Sequence, residues 1–308
     1  MIYIGISGWR YAPWRGTFYP KGWPQRRELE FASRVLSSIE LNGSFYGLQT
    51  PASYSRWYAE TPPGFIFSIK GSRTITHEHR LQNVNEPLAD FFASGLFSLK
   101  EKLGPILWQL PPSLPYDHKT LESFLKLLPR NHTESLDLSR RTRALKTDEG
   151  QAGMEINYSL RHCLEVRHPS FLQESFVDLL RKHRVGLVIA DTAGKWPYFE
   201  DLTADFVYIR LHGDGKLYSS GYTEVALGHW ATRIRAWSEG RTPVDSHSIS
   251  TQPPPPAASR NVYCYFNNSV KVKSPFNARQ LIKKLGLEIG LAKFPSTDGG
   301  TAEQLKVF

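Results

Sequence analysis

Three apolar stretches of the sequence each carry two polar residues spaced two apart: Glu40 and Asn42, Glu165 and Arg167, Arg210 and His212. Side chains alternate faces along a strand, so the members of each pair share a face. A charge in an apolar strand cannot lie against packed helices without a large desolvation cost. Each pair is therefore expected to point into a common interior. Glu40, Glu165 and Asp191 are candidate acids or bases, tunable by burial and by nearby arginines. His212 is a candidate proton shuttle near neutral pH. Lys70, Arg167 and Arg210 could hold a phosphate or carboxylate, the arginines in two-pronged fashion. Trp9, Tyr11, Trp14, Phe45, Tyr46, Trp196 and Tyr198 could stack on a base or sugar ring. Asn42, His77, Gln109, His168, Asn267 and Asn268, near the same strand ends, complete the candidate binding set.

Blander readings of the same residues stay open. Glu40, Glu165, Arg167 and Arg210 could be a buried ion-pair network, because buried charges are normally paired. His212 could be a satisfied core histidine, and most of the aromatics could be packing. The cluster His77-Glu78-His79 has metal-ligating residue types, but its loop position and spacing suit a solvated loop better. Glu40, Glu165, Asp191 and His212 would suit Mn, Fe or Zn, yet the interleaved arginines already balance the carboxylates. No metal site is assigned, and no cofactor can be named. His212-Gly213-Asp214-Gly215-Lys216 is a weak phosphate-loop signal.

These residues need strands to position them. Eight segments read as strands: 2–7, 38–42, 65–70, 106–110, 162–167, 185–191, 206–212 and 262–267. Most are continuous apolar runs ending in a polar residue, the pattern of parallel strands buried on both faces. Helical spacing joins Leu88, Phe91, Phe92, Gly95, Leu96, Leu99 and Leu103 into one amphipathic helix. Thr50-Pro51 opens another with Trp57 and Tyr58 inside. Further helices carry Leu121, Phe124, Leu125 and Leu128, then Leu227, Trp230, Ile234 and Trp237, and last Ala278, Leu281, Ile282 and Leu285, with Asn277 as N-cap. The alternation predicts an α/β fold, a (β/α)8 TIM-like barrel. Trp9 stands where a nucleotide-binding turn would need small residues, which disfavours an open doubly wound sheet. The stretch 192–205 is too short for a full helix, so one outer helix is expected to be missing or reduced to a turn.

The chain of 308 residues suits one such barrel, with a polar insertion at about 130–160, including Arg140, Arg141 and Arg143, and a proline-rich loop at about 240–260. Pro253 to Pro256 read as a solvated, polyproline-like insertion, with a ligand for a proline-binding module as the rival. The formal net charge of +9 favours anionic partners. Two cysteines, Cys163 and Cys264, give no disulfide framework or zinc spacing and fit a reducing compartment. The start MIYIGISGW lacks a signal-peptide pattern and no run is long enough to span a membrane, so a cytoplasmic protein without membrane contact is expected.

Taken together, the motifs resemble the YecE-like family (DUF72). They are Gly5-Ile6-Ser7-Gly8-Trp9 with Trp14 and Phe18-Tyr19-Pro20, Glu40-Leu41-Asn42 with Phe45-Tyr46, Phe67-Ser68-Ile69-Lys70, Ile75-Thr76-His77, Trp108-Gln109-Leu110-Pro111-Pro112, Glu165-Val166-Arg167-His168 with Phe171, Asp191, Tyr208-Ile209-Arg210-Leu211-His212-Gly213, and Tyr265-Phe266-Asn267-Asn268. The resemblance implies a TIM-like barrel and supplies no established activity. Ser269 stands where the family often has an acidic residue, and the proline-rich insertion is longer than the pattern. The expected function is an enzyme acting on a phosphate- or sugar-containing substrate by hydrolysis or isomerisation at the carboxyl ends of the strands. Glu165 or Glu40 would be the base, and Lys70, Arg167 and Arg210 the anion clamp. The alternatives are a non-catalytic nucleic-acid binding protein and a partner-binding scaffold using Pro253 to Pro256. Oligomeric state is not readable.

Overall fold

The computed structural model describes residues 1–140, 157–215, 217, 220–268 and 272–292. Arg141, Arg143, Lys216, Ser269 and the middle of the 130–160 insertion lie outside the described residues. Eight strands, β1 (Ile2–Ser7), β2 (Ser38–Leu41), β3 (Ile66–Lys70), β4 (Leu103–Gln109), β5 (His162–Glu165), β6 (Gly186–Asp191), β7 (Phe206–Leu211) and β8 (Asn261–Phe266), close into one barrel in sequence order. Every neighbouring pair is parallel, and β8 returns to β1 with Tyr3 opposite Tyr263. This is the (β/α)8 arrangement the alternation predicts.

Alternation divides each strand between two environments. Ile4, Ile39, Phe67, Ile69, Leu164, Ile189, Ile209 and Cys264 belong to the large apolar core that includes the helices. The intervening residues fill the barrel: Leu107, Cys163, Val188, Phe206, Tyr208, Tyr263 and Tyr265 form a separate inner cluster. Polar groups within it are paired, as buried polar groups must be. The Ser38 and Tyr265 hydroxyls lie 2.7 Å apart, and those of Ser68 and Tyr208 2.6 Å apart. Tyr208 then donates upward to Glu40 Oε2 at 2.8 Å. The inner core thus becomes more polar toward the carboxyl ends of the strands.

The outer helices are α1 (Glu28–Val35), a single turn α2 (Gly43–Tyr46), α3 (Pro51–Glu60), α4 (Asn85–Ala93), α5 (His118–Leu127), α6 (His132–Ser139), α7 (Glu174–Lys182), α8 (Glu224–Ser238) and α9 (Lys273–Leu285). Thr50 caps α3 by accepting from the Ser53 N–H, with Pro51 at the first turn. Two expected elements differ. The long helix through Leu88 and Leu103 is broken: α4 stops at Ala93, Gly95 turns left-handed at φ 95°, and a 3-10 segment, Leu96–Lys102, leads into β4. A side chain at Gly95 would strike Pro51, its Cβ 2.6 Å from the proline Cα, so the break is also the point where α3 packs. Asn277 is not an N-cap; it sits inside α9, and its Oδ1 accepts from the Tyr222 N–H at 3.1 Å.

No helix separates β6 from β7. The gap is covered by the proline-rich insertion, which is tied down rather than loose. Asp201 accepts from the N–H groups of Ile249 and Ser250 at 2.8 and 2.9 Å, and Glu200 N donates to His247 O at 2.8 Å. Arg181, from α7, donates to Ser250 Oγ and Gln252 O. Among the described residues no helix is long and apolar enough to cross a membrane.

Candidate functional site

At the carboxyl ends of the strands a cavity of about 550 Å³ is lined by Asn42, Phe45, Tyr46, Lys70, Arg73, His77, Gln109, Arg167, Arg210 and Asn267. A larger groove, about 1030 Å³, opens at the opposite end of the barrel, beside Arg130, Arg161 and Arg184. The smaller cavity is the better candidate, because inward-facing strand residues form its floor and catalysis in such barrels sits at this end.

The floor is an ion-pair cluster. Arg210 donates from Nε and Nη2 to the two oxygens of Glu40 at 2.9 and 2.8 Å, and from Nη1 to Glu165 Oε2. All three are sealed, at 1, 0 and 0% exposure. Glu40 also accepts from Ser7 at 2.6 Å. Glu165 accepts from Gln109 Nε2 at 3.0 Å and from Arg167 Nε at 2.8 Å. Burial pushes both carboxyls up, but the charge of Arg210, reinforced by hydrogen bonds, outweighs it. Glu40 is held below its ordinary value and Glu165 well below. Both are carboxylates engaged on both oxygens.

The walls differ. Lys70, from β3, is buried, donates from Nζ to Gln109 Oε1 at 2.9 Å, and lies 3.9 Å from the centre of the Phe45 ring. Burial and then the Arg210 charge lower its pKa to about 7. The chain leaves β3 through Gly71, where a Cβ would lie 2.4 Å from the Trp108 ring; glycine lets this segment press against β4. Arg73 then starts, and His77 lies within, a helical turn, Thr74–Glu78, where the sequence suggested a solvated loop. Burial, then Lys70 and Arg167, lower the His77 pKa to about 4, leaving a neutral imidazole at physiological pH. Arg167 stacks on Trp196 with its guanidinium carbon 3.8 Å from the ring centre. No carboxylate is among the lining residues.

The candidate residues therefore separate. Asn42, Tyr46, Lys70, His77, Gln109, Arg167, Arg210 and Asn267 line the cavity, with Glu40 and Glu165 packed against the inner face of that lining. His212 is fully buried with Nδ1 3.2 Å from Asn267 Nδ2, and burial and Arg210 keep it neutral. Asp191 accepts from Tyr222 at 2.9 Å, and burial raises its pKa. Asn268 joins Ser220, Ser274 and Asn277 in a loop anchor. His168 caps a turn by accepting from the Ser170 N–H. Trp9 packs edge-on against Trp57 and Phe67, and Trp14 is core. His77 meets Phe45 edge-on, while Glu78 pairs with Arg73 at 3.0 Å. Sequence reasoning missed Arg73. Its signal was only position, three residues beyond Lys70 on a segment that a glycine starts.

The family model "Protein of unknown function DUF72" matches residues 3–299. UPF0759 protein YunF of Bacillus subtilis is 31% identical over 117 residues, covering 36% of this chain and 40% of that protein. UPF0759 protein YecE of Escherichia coli K12 is 27% identical over 172 residues, covering 56% and 50% respectively. The chain thus spans about half the length, or less, of these curated relatives. A solved DUF72 family protein from Thermotoga maritima superposes with a TM-score of 0.69 at 23% identity, covering 93% of this chain and 99% of that one. One from Enterococcus faecalis gives 0.65 at 17%, covering 93% and 96%. At these identities the solved structures establish the fold.

Proposed function

The chain belongs to the DUF72 family, and from that premise we propose that its barrel mouth binds a small molecule bearing a phosphate or carboxylate. The observation that carries this reading is the convergence of Lys70, Arg73 and Arg167, above the committed Arg210, on one cavity that has no carboxylate among its described lining residues. Two carboxylates beneath offset Arg210 and part of the charge of Arg167, and Glu78 pairs with Arg73. Arg73 and Arg167 provide fixed charge, and Asn42, Gln109 and Asn267 provide groups suited to sugar hydroxyls. Glu40 and Glu165 serve as counter-ions that hold the arginines in place. Lys70, on the wall, is brought to about 7 and can exchange protons near neutral pH. Turnover of a sugar phosphate by isomerisation or hydrolysis is the reaction class this favours. Cys163 and Cys264, both buried free thiols, support a cytoplasmic location.

Calorimetric titration of the chain with inorganic phosphate and ribose 5-phosphate tests the reading. Arg167→Gln should weaken binding about tenfold, the effect of roughly 1.4 kcal/mol from one charge-assisted contact. Equal affinity in wild type, Arg73→Gln and Arg167→Gln would remove it. A second reading, single-stranded nucleic acid, is favoured by Tyr46, which is 74% exposed at the rim. It requires binding of an oligonucleotide that weakens steeply with salt and depends on Tyr46.

A further inference from the structure

Lys70 has a place that an anion clamp alone does not explain. Lys70 is 7% exposed, yet among the described residues no carboxylate lies within ion-pair distance of Nζ; Nζ meets Gln109 Oε1 and the Phe45 face. A lysine meant only to hold charge gains by full exposure or by pairing with a carboxylate, and this one is largely buried without a carboxylate partner. Both carboxylates nearby, Glu40 from β2 and Glu165 from β5, are committed to Arg210 and Arg167. The charged and titratable groups facing Lys70 are Glu40, Glu165, Arg167, Arg210 and His77, and the arginines disfavour a further positive charge. Lys70 lines an open cavity together with Arg73 and Arg167.

We propose that Lys70 is a nucleophile that forms an iminium with an aldehyde or ketone carrying a carboxylate or phosphate. The neutral amine attacks the carbonyl carbon. A C–N bond forms, the carbonyl π pair moves to oxygen, and the nitrogen passes a proton to that oxygen. The carbinolamine then takes one proton from solvent and loses water as the C=N⁺ bond forms. The balance is amine plus carbonyl plus one proton giving iminium plus water, with no oxidant or metal required. Arg73 and Arg167 hold the anionic group while the bond to Gln109 Oε1 fixes the position of Nζ. Burial and Arg210, which bring the lysine to about 7, make the free amine available at neutral pH. The anionic half of the substrate class rests on the function proposed above; the nucleophile does not.

The test is reductive trapping on the full chain. Glyoxylate and its neutral counterpart glycolaldehyde are each incubated with sodium cyanoborohydride, and modified lysines are located by peptide mass spectrometry. Lys70 should be the dominant adduct with glyoxylate, exceeding any exposed lysine by about tenfold or more. The adduct site should vanish in Lys70→Met, with folding checked by circular dichroism. Labelling of Lys70 no faster than that of exposed lysines, in a wild-type chain that still binds phosphate, overturns the nucleophile and leaves the anion pocket standing. Equal labelling of Lys70 by both aldehydes, with no phosphate binding, upholds the nucleophile and removes the anion pocket.

Discussion

Two buried arginines hold this molecule together in different ways. Arg210, inside the barrel, is gripped by Glu40 and Glu165, which are themselves fully buried. Arg233, on α8 outside the barrel, pairs with buried Glu200 at 3.3 Å and with Asp245, which is 73% exposed, at 3.1 Å. Glu200 also receives hydrogen bonds from Tyr198, Ser246 and the His247 N–H. Both clusters use the same chemistry. The outer one is a seam: it fastens the inserted loop over the place where a helix is lacking, and it runs out into solvent. The inner one is a floor, with an excess of cations above it. The lesson is that a buried guanidinium–carboxylate cluster does not mark a site by itself; what lies on its open side does.

Arg210→Met should have the largest effect. It leaves two buried carboxylates without their main partner, and breaking a buried pair costs about 3–5 kcal/mol, read by urea denaturation. The pH dependence should change with it. Glu40 and Glu165 are held below their ordinary values. Their contribution is therefore complete above the unfolded carboxylate value, about 4.3, and is lost as pH falls through the lower folded values. Loss of that acid-range dependence in Arg210→Met would confirm the floor, and an unchanged acid profile would contradict it.

Arg233→Met should cost about 3 kcal/mol, the lower end of the same range, because Glu200 keeps its other donors. Phosphate affinity should not move. A change in affinity as large as that of Arg167→Gln would erase the distinction between seam and floor. Tyr208→Phe removes one donor to Glu40 and one contact with Ser68. A loss of about 2 kcal/mol in chemical denaturation is expected for a hydrogen bond to a buried charge.

The last effect is a slope with pH and not a fixed loss. Lys70 has a folded value of about 7, below its unfolded value near 10.4. Between these two the unfolded chain binds more protons, so stability rises with pH across that window, by up to about 1.4 kcal/mol per pH unit. Lys70→Met should flatten that rise while leaving the acid limb intact. Stability curves of the two proteins that run parallel from neutral pH to pH about 10 would show that this lysine is not perturbed.

Much of the fold could be read from the sequence because burial on both sides leaves a clear pattern. The eight apolar runs, the polar terminus of each, and the short 192–205 link all carried their meaning locally. Helix limits were less readable. The apolar spacing continues past Ala93, but the left-handed Gly95, pressed against Pro51, ends the helix there. The inward orientation of Glu40, Glu165 and Arg210 followed from alternation. The separation of Asp191 and His168 from the cavity did not, since Tyr222 and Ser170 take up their polar atoms from loops of no recognisable pattern. Arg73 was invisible for the same reason.

The tether across the missing helix has a consequence for how the molecule is made. Asp201 and its partners Ile249 and Ser250 are 48 and 49 positions apart. A chain emerging from the ribosome has completed β6 and β7 well before the segment that shields their outer side has been synthesised. Until residue 250 clears the exit tunnel, Asp201 and Arg181 on that flank lack their partners from the inserted loop.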